Sequence, residues 1–184
     1  QVQPFGPAFR GGVSVATADI GTFSGTTLVS NAPDGIDELV FGSGPGMQAT
    51  VNVYNGVPAV PALLNTFNPI ATGYNRGISV SVLPSSVRGN ADKIMVAAGT
   101  AGNGVVETYS GLSSTREAAF QAFGGGRAAV FAAAIDDSEI FSVQGLGGSI
   151  DGVSKNTSPS GGSSGILPQS TVAYPPLRVG ILRP

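Results

Sequence analysis

Val51-Asn52-Val53-Tyr54-Asn55-Gly56 and Val105-Val106-Glu107-Thr108-Tyr109-Ser110-Gly111 are two versions of one stretch. The interval from Tyr54 to Tyr109 is the same as that from Gly56 to Gly111, and the same again from Asp37 to Asp92 upstream. Three anchors at one offset mark an internal repeat, and a repeat of this length means a chain built from copies of one supersecondary unit. Working outward, the first unit begins at Gly12-Val13-Ser14-Val15, passes Asp37-Glu38-Leu39-Val40-Phe41-Gly42 and closes near Phe67. The second runs from Gly77-Ile78-Ser79-Val80 through Asp92-Lys93-Ile94-Met95-Val96 to Phe120 and Phe123. A third starts at Gly126-Arg127-Ala128-Ala129-Val130, continues through Glu139-Ile140-Phe141-Ser142-Val143 and loses the pattern at Gly147-Gly148.

Short runs between turn residues predict strands. Val13 with Val15, and Val51 with Val53, alternate with Ser14 and Asn52, so the valines are expected to face the core. The continuous runs Leu39-Val40-Phe41 and Ile94-Met95-Val96 suit strands buried on both faces. One helical turn is expected within residues 113–123, where Ser114 and Glu117 have capping-box spacing and Ala118, Ala119 and Ala122 favour helix. Residues 154–165 are Gly/Ser-rich and read as a linker. Residues 166–184 are a Pro-rich tail in which Leu177-Arg178-Val179-Gly180-Ile181-Leu182 reads as an edge strand. The domain layout is therefore a repeat-built β domain over 1–153, with units near 9–68, 74–123 and 124–153, then linker and tail.

Composition agrees with this fold class. Of 184 residues, 41% are hydrophobic and only 11% charged, against roughly 25% charged in an average soluble domain. With 28 Gly and 13 Pro, the chain reads as many short strands joined by turns rather than as a disordered polyampholyte. Net charge is −2 and the arginines are scattered, so no basic stripe is present to neutralise nucleic-acid phosphates or an anionic membrane. No apolar run is long enough for a membrane-spanning helix. No signal peptide is visible, and the chain opens at Gln1 in mid-pattern, as a mature form or a piece of a longer protein would.

Around Asp34-Gly35-Ile36-Asp37-Glu38-Leu39-Val40-Phe41-Gly42 the chain resembles the FG-GAP/VCBS-type repeat of secreted bacterial surface proteins. The likeness extends to Phe9-Arg10-Gly11-Gly12-Val13-Ser14-Val15-Ala16, Gly42-Ser43-Gly44-Pro45-Gly46 and Val51-Asn52-Val53-Tyr54-Asn55-Gly56. It is good over 9–68, fair over 74–123 and poor after 145. The resemblance implies β-propeller-like blades in an all-β fold, from about three degenerate copies. Propellers close with about 4–8 blades, so three would be incomplete or completed by other chains, with their exposed strand edges covered. A β-sandwich is the alternative. The resemblance also implies a calcium loop, with Asp19, Asn31, Asp34, the Ile36 carbonyl and Glu38 at the ligand positions. Here residues 21–30 are inserted between the first two, Leu83-Pro84-Ser85-Ser86 replaces the first acidic positions of the second copy, and the third keeps Asp136, Asp137 and Glu139. Asp34-Gly35 and Asp136-Asp137 read equally well as ordinary turns.

Catalytic chemistry has little to work with. The chain contains no His and no Cys, which removes the commonest general base, the commonest metal ligand and the thiolate nucleophile. Lys93 and Lys155 lack a Ser-x-x-Lys context, and Glu107 and Glu117 read as solvated surface residues. The Gly42–Gly46 turn lacks the Gly-Lys-Ser/Thr ending of a phosphate loop. Asn156-Thr157-Ser158 matches a glycosylation sequon, and Tyr54, Tyr74, Tyr109 and Tyr174 are the aromatics available for stacking on sugar. The expected function is a non-catalytic structural or protein-interaction module of a secreted or cell-surface bacterial assembly, with protein partners and no required cofactor. A calcium-dependent adhesion or carbohydrate-binding module is the alternative.

Overall fold

The computed structural model describes residues 2–56, 61–111, 113–123, 128–136, 139–146, 149–157 and 170–172. Among them the chain is all-β, with antiparallel sheets and none closed into a barrel. Sheet one contains β1 (Val13–Ala18), β4 (Glu38–Ser43), β5 (Val51–Tyr54) and β6 (Leu63–Phe67) in that order. The small hairpin of β2 (Thr22–Ser24) and β3 (Thr27–Ser30) lies between its first two strands in sequence. Sheet two is β7 (Ile78–Leu83), β8 (Lys93–Ala98), β9 (Val105–Ser110) and β10 (Arg116–Gln121). Sheet three is β11 (Ala129–Asp136), β12 (Glu139–Leu146), β13 (Ser149–Thr157) and β14 (Ser170–Val172). Among the described residues there are thus three four-stranded sheets and one two-stranded hairpin.

The sequence offset is a register in space. Leu39 faces Tyr54 and Phe41 faces Asn52 across β4 and β5; one repeat later, Ile94 faces Tyr109 and Val96 faces Glu107 across β8 and β9. The first strands, in which Val13 corresponds to Ile78, stand further apart in sequence than these later pairs do. The surplus is the insert at 21–30, which folds as the β2–β3 hairpin and leaves the rest of the sheet undisturbed. Turn geometry repeats as well. The Gly44 N–H donates to the Gly12 carbonyl at 2.9 Å, and the Gly99 N–H donates to the Gly77 carbonyl at 2.9 Å. Gly12 and Gly77 both have positive φ, at 84° and 81°, a conformation that L side chains resist.

The sheets stack through their first strands, with β7 lying against β1 and β4 of sheet one and against β11 of sheet three. Each seam has its own apolar core. Ala18, Val40, Val51, Val53 and Phe67 of sheet one pack with Ile78, Val80, Ile94, Val96 and Tyr109 of sheet two. The opposite face of sheet two supplies Leu83, Met95, Ala97 and Val106, which pack with Val130 and Ile140 of sheet three. Burying an aliphatic side chain of this kind stabilises by about 1.5–3 kcal/mol, so the two seams hold the stack.

Some sequence expectations are corrected. Val13 and Val15 are exposed, because β1 is the outermost first strand and turns Ser14, Ala16 and Ala18 toward sheet two. The valines of β5 are buried as expected, and so is Asn52 between them. Residues 116–121 form a strand, not a helical turn: pairing with β9 and burial of Phe120 in the second core outweigh the alanine propensity. Ser114, at φ 56°, turns the chain into that strand instead of capping a helix. Glu107 is buried rather than solvated. β13 runs to Thr157, so the start of the 154–165 stretch, Asn156 of the sequon included, lies in strand. The segment 177–182, Gly126, Arg127, Asp137 and Tyr174 lie outside the described residues.

Candidate functional site

The acidic loop lies where β1 ends and the chain returns from the inserted hairpin. Asp19 leaves the sheet after Ala18, and its two carboxylate oxygens accept the N–H groups of Asp34, at 3.2 Å, and Gly35, at 2.7 Å. Asp34 in turn accepts the Ile36 N–H at 2.9 Å, the side-chain turn that Asp favours. Glu38, at the start of β4, is buried and accepts the Ile20 N–H at 3.2 Å. Burial pushes its carboxyl up to about 7, helped by the negative charges of Asp34 and Asp19 and opposed by the Ile20 N–H.

The fold therefore brings Asp19, Asp34 and Glu38 together. Asn31, after β3, lines an open groove of about 370 Å³ together with Ile20 of the first unit and Asn90 and Asp92 of the second. Ile36 is exposed, and its N–H is taken by Asp34. Among the described residues no group of three or more acidic, His or Cys side chains is disposed to hold a metal ion. In the second unit the Asp92 carboxylate accepts the Ser85 N–H at 2.9 Å, while the Asp92 N–H donates to the Asp19 carbonyl at 2.9 Å. In the third, Asp136 pairs opposite Glu139 at the β11–β12 turn. Asp19, Asp34 and Asp92 thus act on backbone amides as loop-fastening groups. Lys93, beside this groove, is held by Glu117 at 2.6 Å.

A second polar constellation lies in the seams and on the outer face of sheet one. Ser14 and Ser79 occupy the same place in β1 and β7. The Ser14 hydroxyl oxygen accepts the Val80 N–H at 2.7 Å, joining sheet one to sheet two. The Ser79 hydroxyl donates to the Val130 carbonyl at 3.2 Å, joining sheet two to sheet three. Asn52 and Glu107 form a further equivalent pair, and each fastens the segment that leads into its own sheet. Asn52 binds the Pro4 carbonyl through its amide N–H and accepts the Thr66 hydroxyl at 2.8 Å. Glu107 accepts the Ile70 N–H at 2.8 Å, the Tyr109 hydroxyl, and Arg116 at 2.9 Å. Ile70 has a positive φ of 67°, an unusual backbone for a β-branched residue, so the carboxylate holds a strained link between the first two sheets. Burial and the neighbouring Glu107 charge push the Tyr109 hydroxyl above its ordinary range, and its ring packs on Phe67 with centroids 4.8 Å apart.

The sequence reading missed these groups. The available signal was a polar residue at the same offset in two copies, inside otherwise apolar strands: serine in Val-Ser-Val and Ile-Ser-Val, and Asn52 matched by Glu107. The turn at 42–46 is a joint of the same kind. Gly46 N–H donates to the Asn75 carbonyl at 3.1 Å, and Pro45 bridges to Arg76 at the entry to sheet two. Tyr109 is buried in a seam and Tyr54 stacks edge-on against Phe41 at 5.6 Å, both structural placements. Compared with known protein families, with curated proteins and with solved structures, the chain has no match.

Proposed function

We propose that the chain is a stack of propeller-type blades of the FG-GAP/VCBS kind, serving as a non-catalytic structural or protein-interaction module of a secreted or cell-surface assembly. The observation that carries this reading is the recurrence, from sheet one to sheet two, of one strand order, one pairing register and one seam serine. First strands lying side by side and four-stranded meanders stacked face to face are the arrangement of blades around an axis. The polar groups identified above are engaged in fastening loops and seams, which supports a scaffold role over a reacting centre. The surface-protein resemblance supports an extracellular setting.

The test has two parts. Val80→Asp places a charge in the first seam and is expected to cost several kcal/mol in a denaturant titration, whereas Thr27→Asp on the exposed hairpin changes stability by less than about 0.5 kcal/mol. Equal effects would remove the stacked-blade reading. Purified from its native source, the chain is expected in an assembly with other polypeptides; recovery only as the free chain would sink the module role.

A further inference from the structure

Sheet two provides an internal standard for what a flanked sheet looks like. Its face toward sheet one carries Ile78, Val80, Ile94, Val96 and Tyr109, all in the first core. The equivalent positions of sheet one, one repeat earlier in β1, β4 and β5, are Val13, Val15, Leu39, Phe41 and Tyr54. They keep the apolar character, but among the described residues no sheet lies against them: Leu39, Phe41 and Tyr54 are half-buried, beside the Pro4 segment that Asn52 fastens, and the two valines of β1 are exposed. Val13 is 46% and Val15 56% exposed, where Ile78 is 6% and Val80 7%. At the other end of the stack, β11 turns Val130 into the second core and leaves Phe131 and Ile135 outward, 59% and 66% exposed, with Ala133 between them. Exposed apolar faces of this kind, periodic along a strand, mark association surfaces.

The geometry points to a second copy of this chain as the occupant: sheet three of one copy seats on sheet one of the other, and the reverse, so that two copies close a ring of six sheets. This rests on the stacked-blade reading and adds its partner. Both halves of the missing seam are present in one chain, and the two internal seams show that a first-strand apolar face is covered by a sheet of this same kind. Closure also selects the number of copies. Propeller rings hold about 4–8 sheets, and with three four-stranded sheets among the described residues, two copies make a ring in that range. A head-to-tail contact that closes on itself yields a discrete particle, while one that fails to close yields a filament.

Sedimentation velocity and native mass spectrometry of the whole chain at micromolar concentration test this. The expected result is one species of twice the chain mass. Val15→Asp and Phe131→Asp should each weaken the dimer about 30-fold or more, as loss of a buried anchor does, while retaining the strand signature in circular dichroism. Leu28→Asp, on the exposed β2–β3 hairpin, should leave the dimer intact. A wild-type monomer at every concentration overturns the proposal. So does dissociation by only one of the two variants, which would mean a face-to-face dimer, and so does an open ladder of polymers. If the chain is monomeric yet Val80→Asp still unfolds it, the second copy is refuted and the stacked blades stand.

Discussion

Replacing Glu38 by Gln tests whether the acidic loop is a buried fastening rather than a solvated charge. Gln keeps the shape and an oxygen to accept the Ile20 N–H, but it cannot ionise. In the folded chain burial raises the Glu38 carboxyl from 4.5 to about 7, whereas the unfolded chain titrates near the ordinary value. The folded state thus holds a proton that the unfolded state releases between these limits, and stability falls as pH rises through that window. Below about pH 4.5 both states are protonated and the site contributes nothing. Above about pH 7 the folded chain carries the full cost of a buried carboxylate, roughly 3 kcal/mol at about 1.4 kcal/mol per tenfold. Glu38→Gln removes that cost, so its advantage over wild type should be small near pH 4.5, grow through neutrality and level off above pH 7. For a chain of this size the plateau corresponds to about 6–12 °C in Tm. Urea titrations of both proteins across the window measure it. A difference that stays constant with pH, or a variant that becomes less stable as pH rises, would refute the argument.

Three further outcomes follow from the seams and the loop. Glu107→Ala strands the Ile70 N–H and the Tyr109 hydroxyl in a buried seam and should cost roughly 3 kcal/mol; in the same variant the Tyr109 hydroxyl should titrate closer to its ordinary range, read by ultraviolet absorbance. Gly42→Val should destabilise by about 1–3 kcal/mol by overpacking, since even a Cβ at Gly42 would meet the Val80 Cγ1 at 2.7 Å; a neutral result would mean that β4 and β7 are further apart than described. Millimolar calcium should leave Tm unchanged, because both Asp19 oxygens are turned to the Asp34 and Gly35 amides; a rise that Asp19→Asn abolishes would place a cation in the loop.

The insert at 21–30 was read from the family resemblance, whereas local pattern alone determined the all-β class and the repeat offset, because strand alternation, turn glycines and copied spacings are properties of neighbours in sequence. The paired positions Tyr54 and Tyr109 were legible for the same reason, since copies of one unit must share one register. What pattern could not decide is which side of a strand meets another sheet. Val13 and Ile78 look alike in sequence, yet one is at the outer face of the stack and the other is inside a seam, because burial depends on what lies beyond the sheet. The alanines at 118–122 favoured a helix locally and were overruled by pairing with β9. Glu107 looked like a surface charge and Glu38 like a loop ligand; both are buried, and only the tertiary structure could bring the distant amides of Ile70 and Ile20 to meet them. Alternation along a strand is set by bond geometry, but the worth of a charge or a valine is set by the solvent it loses, and that is decided by the packing of distant segments.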